Sequence, residues 1–227
     1  MKMGTPRMSK ANQKLIALFG PTGVGKTAVA VEIAQILAEQ DLRAVAVCAD
    51  SMQIYAGMSA LTGAPTATEQ AKLEHRLLGY VDPSREFSAG EFQAEAHAEI
   101  DQLLAEGCVP IVVGGTGFYL QAALTDLDLK DPVAPQVRAK LESKLATEGP
   151  ESLHAELVNL NPIRAAQIDC SDGRRTVRAL ELILSGVDPS SPANQQLWTA
   201  RLRHPTPTAR SACPTAWARN TRSGKRR

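Results

Sequence analysis

The chain has 227 residues, and its 25 Lys and Arg nearly balance its 24 Asp and Glu, giving a formal net charge of +1. This length suits one α/β domain with a small appendage. The four cysteines form no C-x-x-C pair, which argues against a zinc or disulfide framework, and no apolar run reaches membrane-spanning length. Residues 1–14 are polar and unlike a signal peptide, so we expect a cytoplasmic protein with reduced cysteines.

The first predicted strand, residues 15–19, leads into a glycine-rich sequence that fits the P-loop pattern G-x-x-x-x-G-K-[ST] at every fixed position. A helical pattern follows over residues 28–39. Between a strand and a helix, the backbone N–H groups of such a loop bind a diphosphate or triphosphate, Lys26 adds a full positive charge, and the Thr27 hydroxyl suits Mg²⁺. The predicted diphosphate-binding residues are Gly20, Pro21, Thr22, Gly23, Val24, Gly25, Lys26 and Thr27.

The second predicted strand, residues 44–49, is followed directly by Asp50. In open α/β sheets ligands bind at the carboxyl ends of the strands, which places Asp50 beside the P-loop. An aspartate there can bind a metal indirectly or accept a proton from a nucleophile that faces the phosphates. Asp-Ser is also common in turns, so a capping role for Asp50 remains open at this point.

The third clear strand, residues 109–113, leads into Gly114, Gly115, Thr116 and Gly117. Such a loop lets the backbone approach a ligand, and Thr116 offers a hydroxyl group. In many P-loop NTPases the comparable strand ends in an aspartate that helps to hold Mg²⁺. None stands here, which argues against ordinary ATP hydrolysis.

Alternating strand and helix signals predict an α/β fold, a P-loop NTPase-like parallel sheet with helices on both faces. A further helix begins at Ser88, which has capping-box spacing to Glu91, and ends before Gly107. Strand signals fade after residue 124, and helices are predicted over 135–148, 150–159, 162–168 and 174–184. The predicted domains are a core (14–124), a helical annex (125–186) and a basic tail (187–227).

Arg174, Arg175 and Arg178 cluster at the start of the last predicted helix. Together with Arg138 they suit the phosphates of a nucleic acid or a leaving diphosphate. They also suit a solvated helix face paired with Glu181. The cluster alone does not decide between the two interpretations.

Charge is divided unevenly along the chain. Residues 1–188 carry 17 Lys and Arg against 24 Asp and Glu, whereas residues 189–227 carry eight basic residues and no acidic one. We expect this tail to be disordered and to give weak RNA binding without sequence preference. Its composition fits an arm that binds nucleic acid or a membrane surface, and it fits the product of a shifted reading frame equally well.

Five motifs, in this order, resemble the tRNA dimethylallyltransferase (tRNA isopentenyltransferase) family over residues 14–186. They are the P-loop, Asp50-Ser51-Met52-Gln53-Ile54-Tyr55, and residues 87–93, 111–120 and 174–181. The resemblance implies transfer of a dimethylallyl group from dimethylallyl diphosphate to the exocyclic amine of the adenosine 3′ of the tRNA anticodon. The P-loop and Mg²⁺ then hold the diphosphate of the prenyl donor, where a kinase would hold ATP.

The resemblance also assigns roles. Asp50 and Thr116 are the catalytic residues, with Asp50 as the base that takes a proton from the amine, and Thr27 is the metal ligand. Ser51 and Gln53 contact the flipped-out adenine. The expected tRNA-binding residues are Asp50, Ser51, Met52, Gln53, Thr116, Arg138, Arg174, Arg175, Thr176, Val177 and Arg178.

Members of that family continue past the last predicted helix into further helices and basic motifs. We therefore expect this chain to have little prenyltransferase activity. We also expect it to be a monomer and to bind no membrane. Two alternatives remain open from the residues. One is a P-loop small-molecule kinase in which Asp50 addresses the acceptor hydroxyl, and the other is a nucleic-acid-binding module whose P-loop is a relic.

Overall fold

The computed structural model of the protein describes residues 15–127, 129, 133–187, 201–204 and 206. Four described strands form one parallel sheet in the order β1-β4-β2-β3. They are β1 (Ile16–Phe19), β2 (Ala44–Cys48), β3 (His75–Arg76) and β4 (Val109–Gly114). β1, β2 and β4 lie where continuous apolar runs predicted them. The two-residue strand β3 was not predicted, because it is too short to give a periodic signal.

The described residues form nine α-helices. They are α1 (Lys26–Ala38), α2 (Ser59–Thr62), α3 (Ala67–Lys72), α4 (Ala89–Ala105), α5 (Gly117–Leu124), α6 (Pro135–Glu148), α7 (Pro150–Leu160), α8 (Pro162–Ala165) and α9 (Gly173–Leu184). The four helices predicted after residue 124 are all present, with α8 three residues shorter than predicted. In the part of the chain that the structure describes, no helix is both long enough and apolar enough to cross a bilayer.

Local side-chain contacts explain where several helices begin. At the start of α4, Ser88 N–H donates to Glu91 Oε2 at 2.9 Å and Glu91 N–H donates to Ser88 Oγ at 3.2 Å, which is the predicted capping box. Asn161 caps α8, and Asp172 caps α9 by accepting a hydrogen bond from the Arg175 amide at 3.0 Å. These caps satisfy amide groups that have no partner inside the helix.

The structure divides into two compact units. The first takes in the described residues of Met1–Arg85, Ala96–Leu120 and His204–Arg227, and it contains the sheet. Its core joins Ala30 and Val31 of α1 to Ala46 of β2, Ile111 of β4 and Leu73. The fold class is thus the predicted α/β class, with a parallel sheet and helices.

The second unit takes in the described residues of Glu86–Glu95 and Gln121–Arg203. Helices α6, α7 and α9 pack around a buried core to which Leu141, Leu153, Leu157, Val177 and Leu180 contribute. The domain boundaries drawn from the sequence stay a prediction.

Most of the predicted basic tail lies outside the described residues. Within it, Leu202 forms an antiparallel bridge with Thr125, and the Arg203 guanidinium lies 2.9 Å from Asp126 Oδ1. The Arg203 amide also donates to the Leu124 carbonyl at 2.9 Å. This short stretch therefore makes contacts that were not expected of the tail.

The sheet register brings three loops to one edge of the first unit. β4 lies between β1 and β2, with Phe19 opposite Gly114 and Cys48 opposite Val113. The segments that leave these strands therefore start side by side. They are the P-loop after β1, Asp50 after β2 and the Gly114–Gly117 turn after β4.

Candidate functional site at the strand ends

The P-loop leads from the end of β1 into the first turn of α1, over the predicted residues 20–27. Gly23 and Gly25 have φ values of +81° and +89°, in the left-handed region that favours glycine. Gly25 lies directly before α1, which starts at Lys26. The predicted phosphate-binding residues therefore lie at a helix N-terminus, where backbone N–H groups favour an anion.

The Lys26 side chain folds over this turn. Its Nζ donates to the Gly20 and Pro21 carbonyl oxygens, both at 2.9 Å. An ammonium group has three N–H donors, so these two contacts leave one. Phosphate oxygens that enter the loop can replace the two carbonyl oxygens as partners of the ammonium group. Lys26 therefore offers a positive charge to a phosphate bound in this loop.

Asp50 lies almost entirely inside the first unit, with 7% of its surface exposed. Its Oδ1 accepts a hydrogen bond from the Met52 amide at 3.0 Å, and its Oδ2 accepts one from the Gly115 amide at 3.2 Å. Both oxygens are thus held by backbone groups. The carboxylate has a fixed orientation, which a general base requires.

Gly114 and Gly115 make this arrangement possible. A Cβ on Gly115 would lie 2.9 Å from Asp50 Oδ2 and 3.7 Å from Lys26 Nζ, so these two charged groups converge on the same backbone position. A Cβ on Gly114 would lie 2.0 Å from the Ala49 carbonyl oxygen. The sequence suggested that this loop approaches a ligand, and the structure shows that it approaches Asp50.

Thr116 and Ser51 meet beside Asp50, although 65 positions separate them along the chain. The Ser51 amide donates to Thr116 Oγ1 at 3.3 Å, and the two hydroxyl oxygens lie 3.2 Å apart. The structure therefore brings together Asp50, Ser51 and Thr116, which were predicted to act at one centre.

Gln53, which was predicted to contact the flipped-out adenine, makes hydrogen bonds within the chain at both ends of its amide. Its Nε2 donates to the Thr62 and Gly63 carbonyl oxygens at 3.1 and 3.4 Å, and its Oε1 accepts from the Cys48 thiol at 3.8 Å. Both ends of the amide are thus engaged within the chain. Gln53 ties the segment after α2 to the end of β2, and its contact with adenine stays a prediction.

A cavity of about 210 Å³ opens at this edge. Lys26, Thr27, Asp50 and Gln53 line it, and all four were predicted site residues. Thr22, Gly23 and Gly25 of the predicted P-loop also line it, and several further lining residues, for which no site role was predicted, lie on β2, β3, α3 and nearby loops. These include Cys48, Gly63, Pro65, Glu69, His75 and Leu78.

Three of these additional residues are titratable, namely Cys48, Glu69 and His75, and the backbone amide of Thr66 is the main cause that lowers the pKa of Glu69. Burial is the main cause that raises the pKa of the Cys48 thiol to about 12, so this thiol stays protonated and does not serve as a nucleophile. Burial also lowers the pKa of His75 below its ordinary value, against the opposing effect of its hydrogen bond with the Leu73 carbonyl. His75 therefore presents a neutral imidazole to the cavity.

A divalent cation fits the residues present. Among the described residues, no group of three or more His, Cys, Asp or Glu could hold a metal ion by itself. Mg²⁺ commonly binds through one or two protein oxygens together with substrate phosphates and water. Thr27 in the first turn of α1 and Asp50 both line the cavity and offer such oxygens.

The predicted tRNA-binding residues outside this edge lie in the second unit. Arg138 is on α6, and Arg174, Arg175 and Arg178 are on α9 with their side chains at or near the surface. Thr176 and Val177 are buried in the same helix. Their burial gives no support to direct contact with tRNA and indicates a packing role.

A family model described as IPP transferase matches residues 53–223. The chain belongs to the IPP transferase family. A tRNA dimethylallyltransferase of Chloroflexus aggregans is 45% identical over 179 residues, which cover 78% of this chain and 59% of the relative. A tRNA dimethylallyltransferase of Thermobifida fusca is 44% identical over 169 residues, which cover 74% and 53%.

A solved structure of a eukaryotic dimethylallyltransferase acting on tRNA resembles this chain with a TM-score of 0.66 and 26% identity. The similarity covers 86% of this chain and 47% of that one. The chain spans about half the length of the curated relatives that it matches. The fold and the family are therefore shared with enzymes that act on tRNA.

Proposed function

We propose that this IPP transferase protein transfers a dimethylallyl group from dimethylallyl diphosphate to the exocyclic amine of the adenosine 3′ of the tRNA anticodon. One observation carries the proposal. At the carboxyl ends of three adjacent strands, a P-loop lysine, a fixed aspartate and a threonine hydroxyl form one edge of the first unit.

The donor binds through its diphosphate. The backbone N–H groups of the P-loop and the N-terminus of α1 hold the phosphate oxygens, and Lys26 exchanges the Gly20 and Pro21 carbonyls for them. Thr27 would hold Mg²⁺ together with the phosphates, and the ion would supply positive charge that offsets the negative charge of the leaving group.

The transfer forms one bond and breaks another. The amine nitrogen bonds to the first carbon of the dimethylallyl group, the bond from that carbon to the diphosphate oxygen breaks, and the diphosphate leaves with the electron pair. Asp50 accepts the proton that the amine loses. Because an allylic carbon readily bears positive charge while the diphosphate leaves, stabilising the negative charge on the diphosphate matters more than a strong nucleophile.

Thr116 and Ser51 act beside the base. Their linked hydroxyl groups offer hydrogen bonds to the adenine next to Asp50. In the second unit, Arg138, Arg174, Arg175 and Arg178 bind phosphates of the tRNA, since guanidinium groups pair well with phosphate oxygens. We propose that the protein does this as a cytoplasmic monomer.

Competition between donors separates this function from the kinase alternative, which the named relatives do not favour. We expect calorimetry with Mg²⁺ to show tighter binding of dimethylallyl diphosphate than of ATP. Because we expect little activity from this chain, the transfer assay uses protein in excess, and label from the radiolabelled donor should enter an anticodon stem-loop that has adenosine 3′ of the anticodon. The same stem-loop with guanosine there is the control. Tighter binding of ATP together with phosphoryl transfer to a small acceptor would contradict the proposal.

A further inference from the structure

Glu181 on α9 is a buried charged residue that the proposed chemistry does not use. Only 1% of its surface is exposed, and its neighbours Leu180 and Leu182 are buried with it. Taking a carboxylate out of water costs free energy unless the charge is paired. The partners of Glu181 therefore indicate why an acid stands at this position.

Two arginines from different helices meet this carboxylate. Arg178 Nη1, one turn earlier on α9, lies 3.2 Å from Glu181 Oε2. Arg138 Nη1, on α6, lies 3.7 Å from Glu181 Oε1. Each oxygen thus faces one guanidinium, and one buried carboxylate sets the positions of both cations relative to each other.

Both arginines also reach solvent. Half of the Arg138 side chain and 37% of the Arg178 side chain are exposed, whereas Glu181 lies beneath them. A guanidinium presents its N–H donors in a planar fork, so the exposed part of each side chain can face an anion while Glu181 contacts the group from the buried side. Glu181 can therefore hold both arginines from the buried side while their exposed sides contact an anion.

We propose that Glu181 is a positioning residue for tRNA binding, which fixes Arg138 and Arg178 as one two-cation site for the phosphate backbone. This inference rests on the proposed function, because it takes tRNA as the ligand of these arginines. Pre-positioning lowers the side-chain entropy that long, flexible arginines lose when they bind.

Glu142 provides a natural contrast. It also contacts Arg138, through Nε at 2.8 Å, but it lies one turn later on α6 and its side chain is 52% exposed. Exposed pairs of this kind contribute little to stability. Glu142 competes with phosphate for Arg138 from the solvent side, whereas Glu181 supports the arginine from the buried side.

Glu181→Gln, compared with Glu142→Gln, separates the positioning of the arginines from the effect of net charge. The glutamine amide keeps one acceptor oxygen and replaces the other with an NH₂ group, which repels a guanidinium N–H. Glu181→Gln can therefore hold one arginine and not both. Glu142→Gln makes the same change in net charge at an exposed position, so it is the matched control for general electrostatics.

The experiment measures binding of a fluorescent anticodon stem-loop RNA to the full 227-residue chain over a series of salt concentrations. We expect Glu181→Gln to bind about tenfold more weakly, with a shallower salt dependence. Glu142→Gln should bind as tightly as the wild type or more tightly. Leu153→Ala, in the core of the same unit, controls for a loss of stability without a change of charge.

The outcomes distinguish this inference from the proposed function. In one outcome, Arg138→Ala weakens RNA binding but Glu181→Gln and Glu142→Gln bind RNA with equal affinity. This outcome overturns the positioning role of Glu181 alone. A wild-type chain that shows no preference for the stem-loop over a single strand of the same length overturns the tRNA role and this inference together. The positioning role is also overturned if Glu181→Gln weakens RNA binding no more than Leu153→Ala does.

A second readout needs no RNA. In wild-type protein the side-chain Nε–H signals of Arg138 and Arg178 should be resolved in nuclear magnetic resonance spectra, because both groups are fixed. In Glu181→Gln the Arg178 signal should move to the position of a solvated arginine, whereas the Arg138 Nε–H, which donates to Glu142 at 2.8 Å, should change less. Unchanged signals for both arginines contradict the proposal.

Discussion

Different groups position the side chains at the strand-end edge of the first unit and on the arginine-bearing face of the second unit. At the edge, backbone groups do most of the positioning, since Asp50 is held by the Met52 and Gly115 amides. On the helical face, side chains hold side chains, since Arg138 and Arg178 meet at Glu181. The first arrangement depends on the absence of a Cβ, and the second depends on buried charge.

This difference tells which substitutions each unit tolerates. Adding one methyl group at the edge meets backbone atoms that cannot move aside cheaply. Adding one on the surface of a helix meets open space and favours helix formation. Conversely, removing one of the two arginines from the helical face leaves the buried Glu181 carboxylate with less counter-charge.

We expect the largest change in the free energy of unfolding when a glycine is replaced by alanine at the strand-end edge, and the same replacement in the second unit is the comparison. Gly114→Ala would bring a Cβ to 2.0 Å from the Ala49 carbonyl oxygen, and we expect it to destabilise the fold by about 3 kcal/mol or more. Gly90→Ala, in α4, meets nothing closer than 3.8 Å and should stabilise by about 0.5–1 kcal/mol. Chemical denaturation measures both. Equal effects of the two substitutions would remove the contrast between the units.

Asp50→Asn should have the next largest effect, on transfer and not on binding. Asparagine keeps the shape of the side chain but cannot accept the proton, and base catalysis contributes about 10²- to 10⁴-fold. Single-turnover assays with protein in excess measure the rate, and calorimetry checks that the donor still binds. Near-normal transfer would leave Asp50 as a capping or metal-binding residue.

Gly115→Ala should reduce transfer by about 10²-fold or less, because the new Cβ would stand 2.9 Å from Asp50 Oδ2 and displace the base. Thermal unfolding should change far less than in Gly114→Ala. A variant that transfers at the wild-type rate would show that contact with the Gly115 amide does not position Asp50.

The smallest expected effect concerns pH and His75. Because burial lowers the pKa of His75 from its usual value near 6.5, the unfolded chain binds a proton that the folded site resists. Stability should therefore fall as the pH drops below about 6.5. His75→Gln should lose less stability than the wild type between about pH 8 and about pH 5. Parallel curves for the two proteins would contradict this assignment.

The sequence predicted the elements whose signals are local. Continuous apolar runs predicted β1, β2 and β4. A proline at the start and a glycine or asparagine at the end predicted α6 and α7. The two-residue strand β3 carries no such signal, because it exists through pairing with Ala46 and Val47 of β2.

The candidate site divides in the same way. The P-loop and Asp50 could be predicted because a motif and a strand end mark them. The engagement of Gln53 by the Thr62 and Gly63 carbonyls depends on how a later loop folds back. The burial of Glu181 on α9 beside Arg138 of α6 likewise depends on packing that no spacing along the chain reveals.

Titration calorimetry of dimethylallyl diphosphate with Mg²⁺ tests the central claim, that the strand-end edge binds the donor through its diphosphate. Lys26 is compared with Lys140, an exposed lysine on α6 in the second unit. A charge-assisted contact contributes about 1.5–3 kcal/mol, so Lys26→Ala should weaken binding about ten- to a hundredfold while Lys140→Ala leaves it unchanged. Equal affinity in the wild type and Lys26→Ala would contradict the account.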